Sequence, residues 1–399
     1  MLRSTATPLS RAFSSAAKKN IVVVDGIRLP FAMQSTIYKD LLAVDLQRHA
    51  LKALLTKTAL DPALIDYVLC GTVIQETKTS NIAREASMGA GIPLSVPSHT
   101  VTQACISSSV AICTAAEKIL AGQADIVVAG GVETFSDVPI RFSRKVRQKL
   151  IGAPKAMKKG PAGALSLLKG LTLKDLAPEA PAIANYTTGE VMGVSSDRLS
   201  QKFGVSREEM DHFTVNKLNP AFVKPYGTHT AANSSFLTDG ASASLIMSEE
   251  KALELGYKPM AYIRDWAFVA CDPFEELLLG PTYGAKKCLD AMNLDMKDIG
   301  VFEIHEAFAG QVLSNLNAMN SDKFAEEKGW GKKVGEVDQT KMNTKGGSLS
   351  LGHPFGATGS RLVTTASRRL QQEEERFALL AACADGGLGH AAILERYDN

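Results

Sequence analysis

Apolar runs alternate along this chain with segments in which apolar positions recur at helical spacing. IVVVDGIRLPF (21–31) is typical of a buried strand that ends in a turn, and DLLAVDLQRHALKALL (40–55) has the pattern of a helix. The alternation returns in QACISSSVAICTAAEKILAG (103–122), a predicted helix, and in ADIVVAGGVE (124–133), a predicted strand. Strands and helices joined by short glycine turns predict a layered α/β fold with strands buried on both faces.

A similar order of elements returns in the second part of the chain. NLDMKDIGVFEIHEAFAGQ (293–311) is similar to ALDPALIDYVLCGTVIQ (59–75). GATGSRLVTTASRRL followed by RFALLAACADGG (376–387) repeats the helix, the strand and the paired glycines of the first part. These repeats predict two related halves, an N-terminal half over 21–250 and a C-terminal half over 260–399.

Composition and charge exclude several classes of protein. The chain has 399 residues and a formal net charge of +2, and no apolar run approaches the roughly 18 residues of a membrane-spanning helix. Basic residues are not interleaved with aromatic ones, which argues against nucleic-acid binding. The cysteines lack CxxC spacing, so we expect neither a metal site nor a disulfide framework. They are Cys70, Cys105, Cys113, Cys271, Cys288 and Cys383.

The first twenty residues, MLRSTATPLSRAFSSAAKKN, combine basic residues with several serines and threonines, and the first acid of the chain is Asp25. A leader of this kind, without a long apolar block, predicts a mitochondrial transit peptide over residues 1–20. The alternative is a terminus without a targeting role. In either case we expect the fold to begin near Asn20.

A basic segment interrupts the N-terminal half within a predicted excursion over about 138–195. Residues 141–174 contain ten Lys or Arg and no Asp or Glu, together with the apolar clusters ALSLL and LTL. One interpretation is a solvated loop that tolerates positive charge. The other is a partly amphipathic surface that contacts anionic head groups such as those of cardiolipin, or the phosphates of a nucleotide-bearing substrate.

Cys105 is a candidate nucleophile because QACISSS places it at the start of a predicted helix among small residues. The helix dipole and free backbone N–H groups at that position favour a thiolate, so we expect a lowered pKa. A lone cysteine on a helix is more often a core residue, and Cys113 of the same helix fits that simpler interpretation.

Three further side chains stand where an α/β sheet places ligands, at the ends of strands or in glycine-rich loops. Cys383 follows FALLAA, and His305 ends the strand of FEIHEAF. Each could also be an ordinary buried residue. His353, in GHPFGAT, is surrounded by glycines, which allow the backbone to approach a ligand closely and leave little for a core histidine to pack against.

Four motifs in order along the chain resemble those of the thiolase family: QACISSS, HEAFA, NTKGGSLSLGHPFGATGS and CADGGLGH. The resemblance extends from about Ile21 to Arg396. HEAF, in which many thiolases have Asn in place of this His, is similar to the branch that includes the β-subunit of the mitochondrial trifunctional protein. The basic excursion is similar to that branch as well.

The resemblance implies a thiolase fold, in which each half contributes a five-stranded mixed sheet to αβαβα layers and a loop domain is inserted in the first half. It also implies the cleavage of 3-ketoacyl-CoA by CoA in fatty acid β-oxidation. Cys105 would attack the 3-keto carbon, and His353 would activate the thiol. Cys383 would exchange protons with the enolate and with CoA, and His305 would help to stabilise the enolate.

The resemblance implies binding partners as well. CoA would be a co-substrate, no cofactor would be permanently bound, and Ser235 in TAANSS would contact the pantetheine arm. The alternative for Ser235 is a helix or turn cap. A homodimer core associated with trifunctional-protein α-subunits is expected in the mitochondrial matrix, with peripheral contact to the inner membrane.

Two departures from the family pattern bear on activity. The chain passes from SREEMDHFT through VNKL to NPAFVKPYG, where the family has a longer helix and a further excursion, so some tens of residues are absent around 214–219. Asp385 occupies a position where the family usually has a small residue, and its charge would raise the pKa of Cys383 if it pointed inward.

These departures leave other functions open. One is a catalytically weak, shortened subunit with a structural or membrane-anchoring role. A ketoacyl synthase shares the fold and a cysteine nucleophile, but the second cysteine, Cys383, favours a thiolase.

Overall fold

The computed structural model describes residues 19–398, apart from 215–217 and 225. The predicted transit peptide therefore lies almost wholly outside the described residues. In the described part of the chain, no helix combines the length and apolar character that a membrane crossing requires.

The strands and helices are numbered here in chain order. The strands are β1 Ile21–Arg28, β2 Ala32–Met33, β3 Tyr67–Gly71, β4 Ser98–Val101, β5 Ile126–Glu133, β6 Thr238–Ser248, β7 Ala261–Ala270, β8 Ile299–Ile304, β9 Phe377–Ala384 and β10 Leu388–Arg396. The helices are α1 Ala43–Thr58, α2 Ile82–Gly89, α3 Ser107–Leu120, α4 Arg144–Met157, α5 Pro161–Ser166, α6 Met192–Lys202, α7 Arg207–Thr214, α8 Glu249–Glu254, α9 Gly280–Met292, α10 Ala309–Met319, α11 Asp322–Glu327, α12 Ser348–Leu351 and α13 Thr358–Gln372.

The strands form a mixed sheet whose two parts repeat one topology. The order is β4-β3-β5-β6-β1 in the first part and β7-β10-β9-β8 in the second, and β1 joins β7 at Val22 and Val23. The parallel pair β3 and β5 corresponds to β8 and β9, and β6 lies antiparallel to β5 as β10 does to β9. This correspondence supports two related halves.

The second part departs from the expected five strands. Its described residues form four strands, and the position equivalent to β4 is occupied by Met342, which makes an isolated parallel bridge to Phe302 of β8. The pairing there is too short to count as a strand.

The fold has five layers: helices, the first part of the sheet, central helices, the second part of the sheet and helices. Neighbouring residues of a strand point to opposite faces of the sheet and therefore pack against different helix layers. In β5, Val127 packs in the central cluster with α3 and α13, whereas Val128 packs with α1 and α2 on the outer side. In β9, Leu380 faces the central helices and Leu379 faces α9 and α10. Because both faces of each strand are buried, the strands read as continuous apolar runs, as the sequence predicts.

The segment between β5 and β6 carries α4 to α7. α6 packs against α10 of the second half, whereas α4 packs mainly against α5, so these two helices extend from the layered body. The extension covers residues 141–174, which include both helices. Apolar side chains on it are exposed, among them Ile151, Leu165 and Leu173 at 82%, 69% and 89%.

Candidate active site

Cys105 lies in the turn that leads into α3. Ala104 has a left-handed backbone, with φ of 45°. The hydroxyl of Ser107 accepts a hydrogen bond from the N–H of Gln103 (2.8 Å) and donates one to the carbonyl of Ala104 (2.7 Å). This fixed turn places Cys105 in the lining of a cavity of about 860 Å³.

The pKa of Cys105 is raised to about 12, chiefly by burial and then by the charges of Asp385 and Glu133. Hydrogen bonds from the backbone N–H groups of Asp385 and of Cys105 itself act in the opposite direction and are outweighed. The expectation of a lowered pKa is therefore wrong. The helix begins two residues later, at Ser107, and the loss of hydration of a thiolate exceeds the effect of the dipole.

His353 is held in one orientation by Thr358. Its Nδ1 lies 2.7 Å from the hydroxyl oxygen of Thr358, and that hydroxyl donates to the carbonyl of Pro354 at 3.1 Å. A carbonyl can only accept, so we assign the hydroxyl proton to the bond with Pro354 and the proton of the shorter bond to Nδ1 of His353. The Nε2 atom, which has no hydrogen-bond partner among the described residues, is left with a free lone pair.

Close backbone contacts explain the glycines around His353. Gly352 has a φ of 95°, which only glycine adopts readily. A Cβ on Gly356 would lie 2.3 Å from the carbonyl oxygen of Val132. The expectation that His353 has little to pack against is wrong, because its ring centroid lies 4.0 Å from that of His305 and 4.8 Å from that of Phe355.

His305 follows β8 and has the opposite arrangement of protons. Its Nδ1 lies 3.0 Å from the hydroxyl of Ser348, which also accepts a hydrogen bond from Nη2 of Arg361 at 3.0 Å. Arg361 can only donate to this hydroxyl, which leaves the hydroxyl proton available to Nδ1 of His305, and we assign Ser348 as the donor of that bond. The proton of this imidazole then resides on Nε2, which has no partner in the described part of the chain.

The three side chains converge in one buried cluster. The thiol of Cys105 and nitrogen atoms of His305 and His353 all lie within 4.8 Å of one another. Burial, followed by the positive charge of Arg361, lowers the pKa of His305 to about 3. Burial and then the neighbouring His305 hold the pKa of His353 well below its usual value. The cluster therefore rests as a neutral thiol, a proton-accepting imidazole and a proton-donating imidazole.

A thiolate and two imidazoles could also ligate a metal such as zinc. The hydrogen bond with Ser348 favours the tautomer of His305 that carries its proton on Nε2, whereas a metal at Nε2 would require the other tautomer. The arrangement therefore favours acid–base chemistry.

Cys383 lies near the end of β9 and is buried. Burial, followed by the neighbouring Cys105, raises its pKa strongly. This second thiol therefore holds its proton at neutral pH in the neighbourhood of Cys105. The candidate residues of four separate motifs are thus brought to one site.

Ser235 lies outside this cluster. Its backbone N–H donates to the carbonyl of Ala307 at 2.9 Å, and its side chain is partly exposed. Among the described residues, the cavity is lined by Leu237, two positions later, rather than by Ser235. Its role toward CoA stays a prediction.

Glu133, at the end of β5, is a supporting residue that we did not select from the sequence. Its carboxylate accepts hydrogen bonds from the backbone N–H groups of Val73 (3.0 Å), Ile74 (2.9 Å) and Gly356 (3.0 Å). Burial raises its pKa to about 7 despite these bonds. Glu133 thereby joins the loop of His353 to the loop after β3. The sequence feature that could have identified Glu133 is its position as an acidic residue at the end of an otherwise apolar strand.

Asn343 positions the loop that carries His305. Its side chain accepts from the N–H of Ile304 (2.9 Å) and donates to the carbonyl of the same residue (2.8 Å). Its amide also donates to the carboxylate of Glu306, which accepts from the N–H of Leu349 as well (3.0 Å). These contacts fix the end of β8 against α12, where Ser348 lies.

Comparison with known proteins gives the family directly. The thiolase N-terminal domain matches residues 21–217 and 214–250, and the thiolase C-terminal domain matches residues 257–396. The chain therefore belongs to the thiolase family. The N-terminal match falls into two segments that meet at 214–217, where the sequence indicated missing residues.

Two curated relatives are similar over nearly their whole length. The chain is 49% identical over 443 residues to the trifunctional enzyme subunit beta, mitochondrial, of Bos taurus, covering 99% of this chain and 93% of the relative. It is 49% identical over 449 residues to the probable 3-ketoacyl-CoA thiolase of Caenorhabditis elegans, covering 100% of each. The alignment of 443 residues exceeds the 399 residues of this chain, so at least 44 positions of the Bos taurus relative have no counterpart here.

Solved structures agree with the fold. The crystal structure of human mitochondrial 3-ketoacyl-CoA thiolase has a TM-score of 0.80 and 25% sequence identity, and covers 96% of this chain and 100% of that one. The same enzyme in complex with CoA has a TM-score of 0.79 and 25% identity, with coverages of 95% and 98%.

Proposed function

We propose that this protein is a 3-ketoacyl-CoA thiolase, which cleaves 3-ketoacyl-CoA with CoA to give acetyl-CoA and an acyl-CoA shortened by two carbons. The observation that supports this most directly is the cluster of Cys105, His305 and His353, with Cys383 next to it. Family membership alone does not require these four side chains to meet in a chain that lacks tens of family residues.

In the first half of the reaction, Nε2 of His353 accepts the thiol proton as the sulfur of Cys105 attacks the 3-keto carbon. The positive charge that forms on His353 and the negative charge that forms on the reacting atoms stabilise each other. This attraction offsets the cost of placing charges in a buried site, which keeps the resting pair neutral. The bond between C2 and C3 then breaks, leaving the acyl group on Cys105. The acetyl-CoA enolate departs with its oxygen facing Nε2–H of His305, and Cys383 donates a proton to C2.

In the second half, the Cys383 thiolate removes a proton from the thiol of CoA. The CoA thiolate attacks the acyl-thioester, whose oxygen faces the N–H groups of Cys105 and Asp385. The departing Cys105 sulfur recovers its proton from His353. All four side chains thereby return to their starting protonation states. CoA is a co-substrate, and Ser235 would contact its pantetheine arm.

The test is thiolysis of acetoacetyl-CoA by CoA, followed through the loss of absorbance of the 3-ketoacyl thioester. The wild-type protein should also form an acyl-enzyme that mass spectrometry locates on Cys105. C105S should abolish both, whereas C113S, which alters a core cysteine of α3, should retain both. An acyl group on Cys383 or Cys113 of the wild type would refute the assignment.

A second candidate function is a shortened subunit with weak catalysis and a structural role. The supporting observation is the interruption of the N-terminal domain match at 214–217. Nearby Leu218, Phe222 and Val223 are 51%, 37% and 36% exposed, apolar surface that a longer segment could cover. A folded wild-type protein without measurable thiolysis would favour this function over the first.

We further propose a location in the mitochondrial matrix and association with a trifunctional α-subunit, on the strength of the Bos taurus relative's name and of the leader over residues 1–20. A homodimer core is supported by β4, which lies at the edge of the sheet and leaves one side of its backbone without a strand partner in the described chain. Light scattering measures the mass of the assembly directly.

Peripheral contact with the inner membrane would use the extension over residues 141–174, which includes α4 and α5. Two of its ten cations are neutralised, because Lys145 pairs with Asp175 (2.9 Å) and Arg147 with Glu179 (3.1 Å). Lys155, Lys158 and Lys159 are exposed. Each such charge gains about 1 kcal/mol near an anionic leaflet, and the exposed leucines of the extension can enter the head-group layer.

Flotation with cardiolipin-containing vesicles tests this contact. The triple variant K155E/K158E/K159E should bind less than wild type, and high salt should weaken wild-type binding because the attraction is electrostatic. The matched control K258E/K297E/K323E changes three exposed lysines outside the extension. Equal recovery of wild type and both variants would leave the extension as a solvated loop or a contact for CoA phosphates.

A further inference from the structure

Asp385 makes a contact that the proposed chemistry does not use. It lies in the turn between β9 and β10 and lines the cavity beside Cys105. Its carboxylate accepts a hydrogen bond from the side-chain amide of Asn185 at 3.0 Å. Asn185 belongs to the segment inserted between β5 and β6, so the bond joins residues 200 positions apart.

Asn185 is itself the centre of a small closed loop. Its side-chain oxygen accepts from the N–H groups of Thr187 and Thr188, both at 3.0 Å. Its own N–H donates to the carbonyl of Glu190 at 2.8 Å. Because the oxygen of the amide is committed to this loop, the NH₂ group must face Asp385. Asn185 is buried, and Asp385 is partly exposed.

The loop carries one wall of the cavity. Residues 180–183, which precede it, and Met192, which follows it, line the same cavity as Cys105. These residues are mostly apolar, and among them Ile183 and Met192 are large enough to contact an acyl chain. A bond that fixes Asn185 therefore fixes the wall on both sides of the loop.

The carboxylate of Asp385 is unfavourable for the reactivity of Cys105, because its negative charge raises the pKa of the thiol and so opposes formation of the thiolate. Its backbone N–H acts in favour of the thiolate but would do so with any side chain. The contribution that depends on this particular side chain is thus the bond to Asn185.

We propose that Asp385 is a positioning residue that holds Asn185, and with it the 180–192 wall, over Cys105, and that this contact sets the preference between long and short acyl chains. The inference rests on the proposed thiolase function, and it names the part of the substrate that the wall contacts. A four-carbon substrate would not reach the wall, whereas a long acyl chain would lie along it.

The experiment compares D385A, D385N and N185A with wild type, using acetoacetyl-CoA and 3-ketohexadecanoyl-CoA as substrates. D385A and N185A should each lower kcat/KM for the long substrate about tenfold more than for the short one, as expected for loss of one hydrogen bond to a charged group. D385N should retain the wild-type ratio, because its amide oxygen still accepts from Asn185. The double variant D385A/N185A should show no larger change in ratio than N185A alone, since both changes remove one contact.

Two measurements distinguish the effect of the hydrogen bond between Asp385 and Asn185 from the effect of the negative charge of Asp385. Hydrogen exchange at the amides of Thr187 and Thr188 should become about tenfold faster in D385A and stay unchanged in D385N. Alkylation of Cys105 should become faster in both variants, because both remove the charge.

An unchanged substrate ratio in D385A would overturn the proposal, as would a D385N variant that matches D385A in ratio and exchange. A wild-type protein that shows protected Thr187 and Thr188 amides but no thiolysis of acetoacetyl-CoA would refute the proposed function instead. The two failures are therefore distinguishable.

Discussion

Replacing Thr358 by Val tests the assigned proton positions most directly. Valine has nearly the shape of threonine, and Thr358 is buried at the first position of α13. The change removes the hydroxyl that accepts from Nδ1 of His353. The carbonyl of Pro354 also loses a donor, but it still accepts from the N–H groups of Ala357 (2.9 Å) and Thr358 (3.1 Å). His353 is therefore the group left without a partner.

Two outcomes are open to this imidazole, and each lowers the rate. If the proton stays on Nδ1, a buried donor is unpaired, at a cost of about 1–3 kcal/mol. If it moves to Nε2, the lone pair that receives the Cys105 proton is lost. Either way we expect kcat/KM to fall about 10- to 100-fold, since each 1.36 kcal/mol is tenfold.

Thiolysis of acetoacetyl-CoA and single-turnover acylation of Cys105 measure the effect. T358S is the matched control, because it keeps the hydroxyl and loses only a methyl group. We expect it to be slightly less stable and nearly as active as wild type. A T358V variant that keeps the wild-type rate of acylation would show that the orientation of His353 does not depend on Thr358, and the assigned tautomer would be wrong.

Other predictions address the remaining groups of the site. S348A should lower kcat about tenfold, because the proton on Nε2 of His305 is no longer enforced, and S350A, which changes an exposed serine of the same helix, should not. Alkylation of Cys105 should accelerate about tenfold per pH unit from pH 7 to 10, because burial raises its pKa to about 12; a plateau near the ordinary thiol pKa would contradict this. C383A should slow exchange of the acetyl-CoA methyl protons with solvent by about 100-fold or more, as expected for loss of a general acid–base group, and unchanged exchange would exclude Cys383 from that step.

Local features of the sequence were enough to predict the alternation of strands and helices and the duplicated order of the two halves. Runs such as IVVAGGVE are apolar throughout because alternate residues enter different layers, as Val127 and Val128 do. The candidates Cys105, His305, His353 and Cys383 could be selected because each lies at the end of a strand or helix or among glycines. The thiolase motifs then grouped residues that no local argument brings together.

Only the tertiary structure decided how these groups are protonated and held. Burial outweighs the helix dipole at Cys105 because most of the hydration of a thiolate is lost there, and a sequence does not show which segments surround the thiol. The proton positions of the two histidines depend on Thr358 and Ser348, and the latter is 43 positions away from His305. Asn185 meets Asp385 across 200 residues. Hydrogen bonds act over about 3 Å, so a contact between distant segments exists only once the layers have packed.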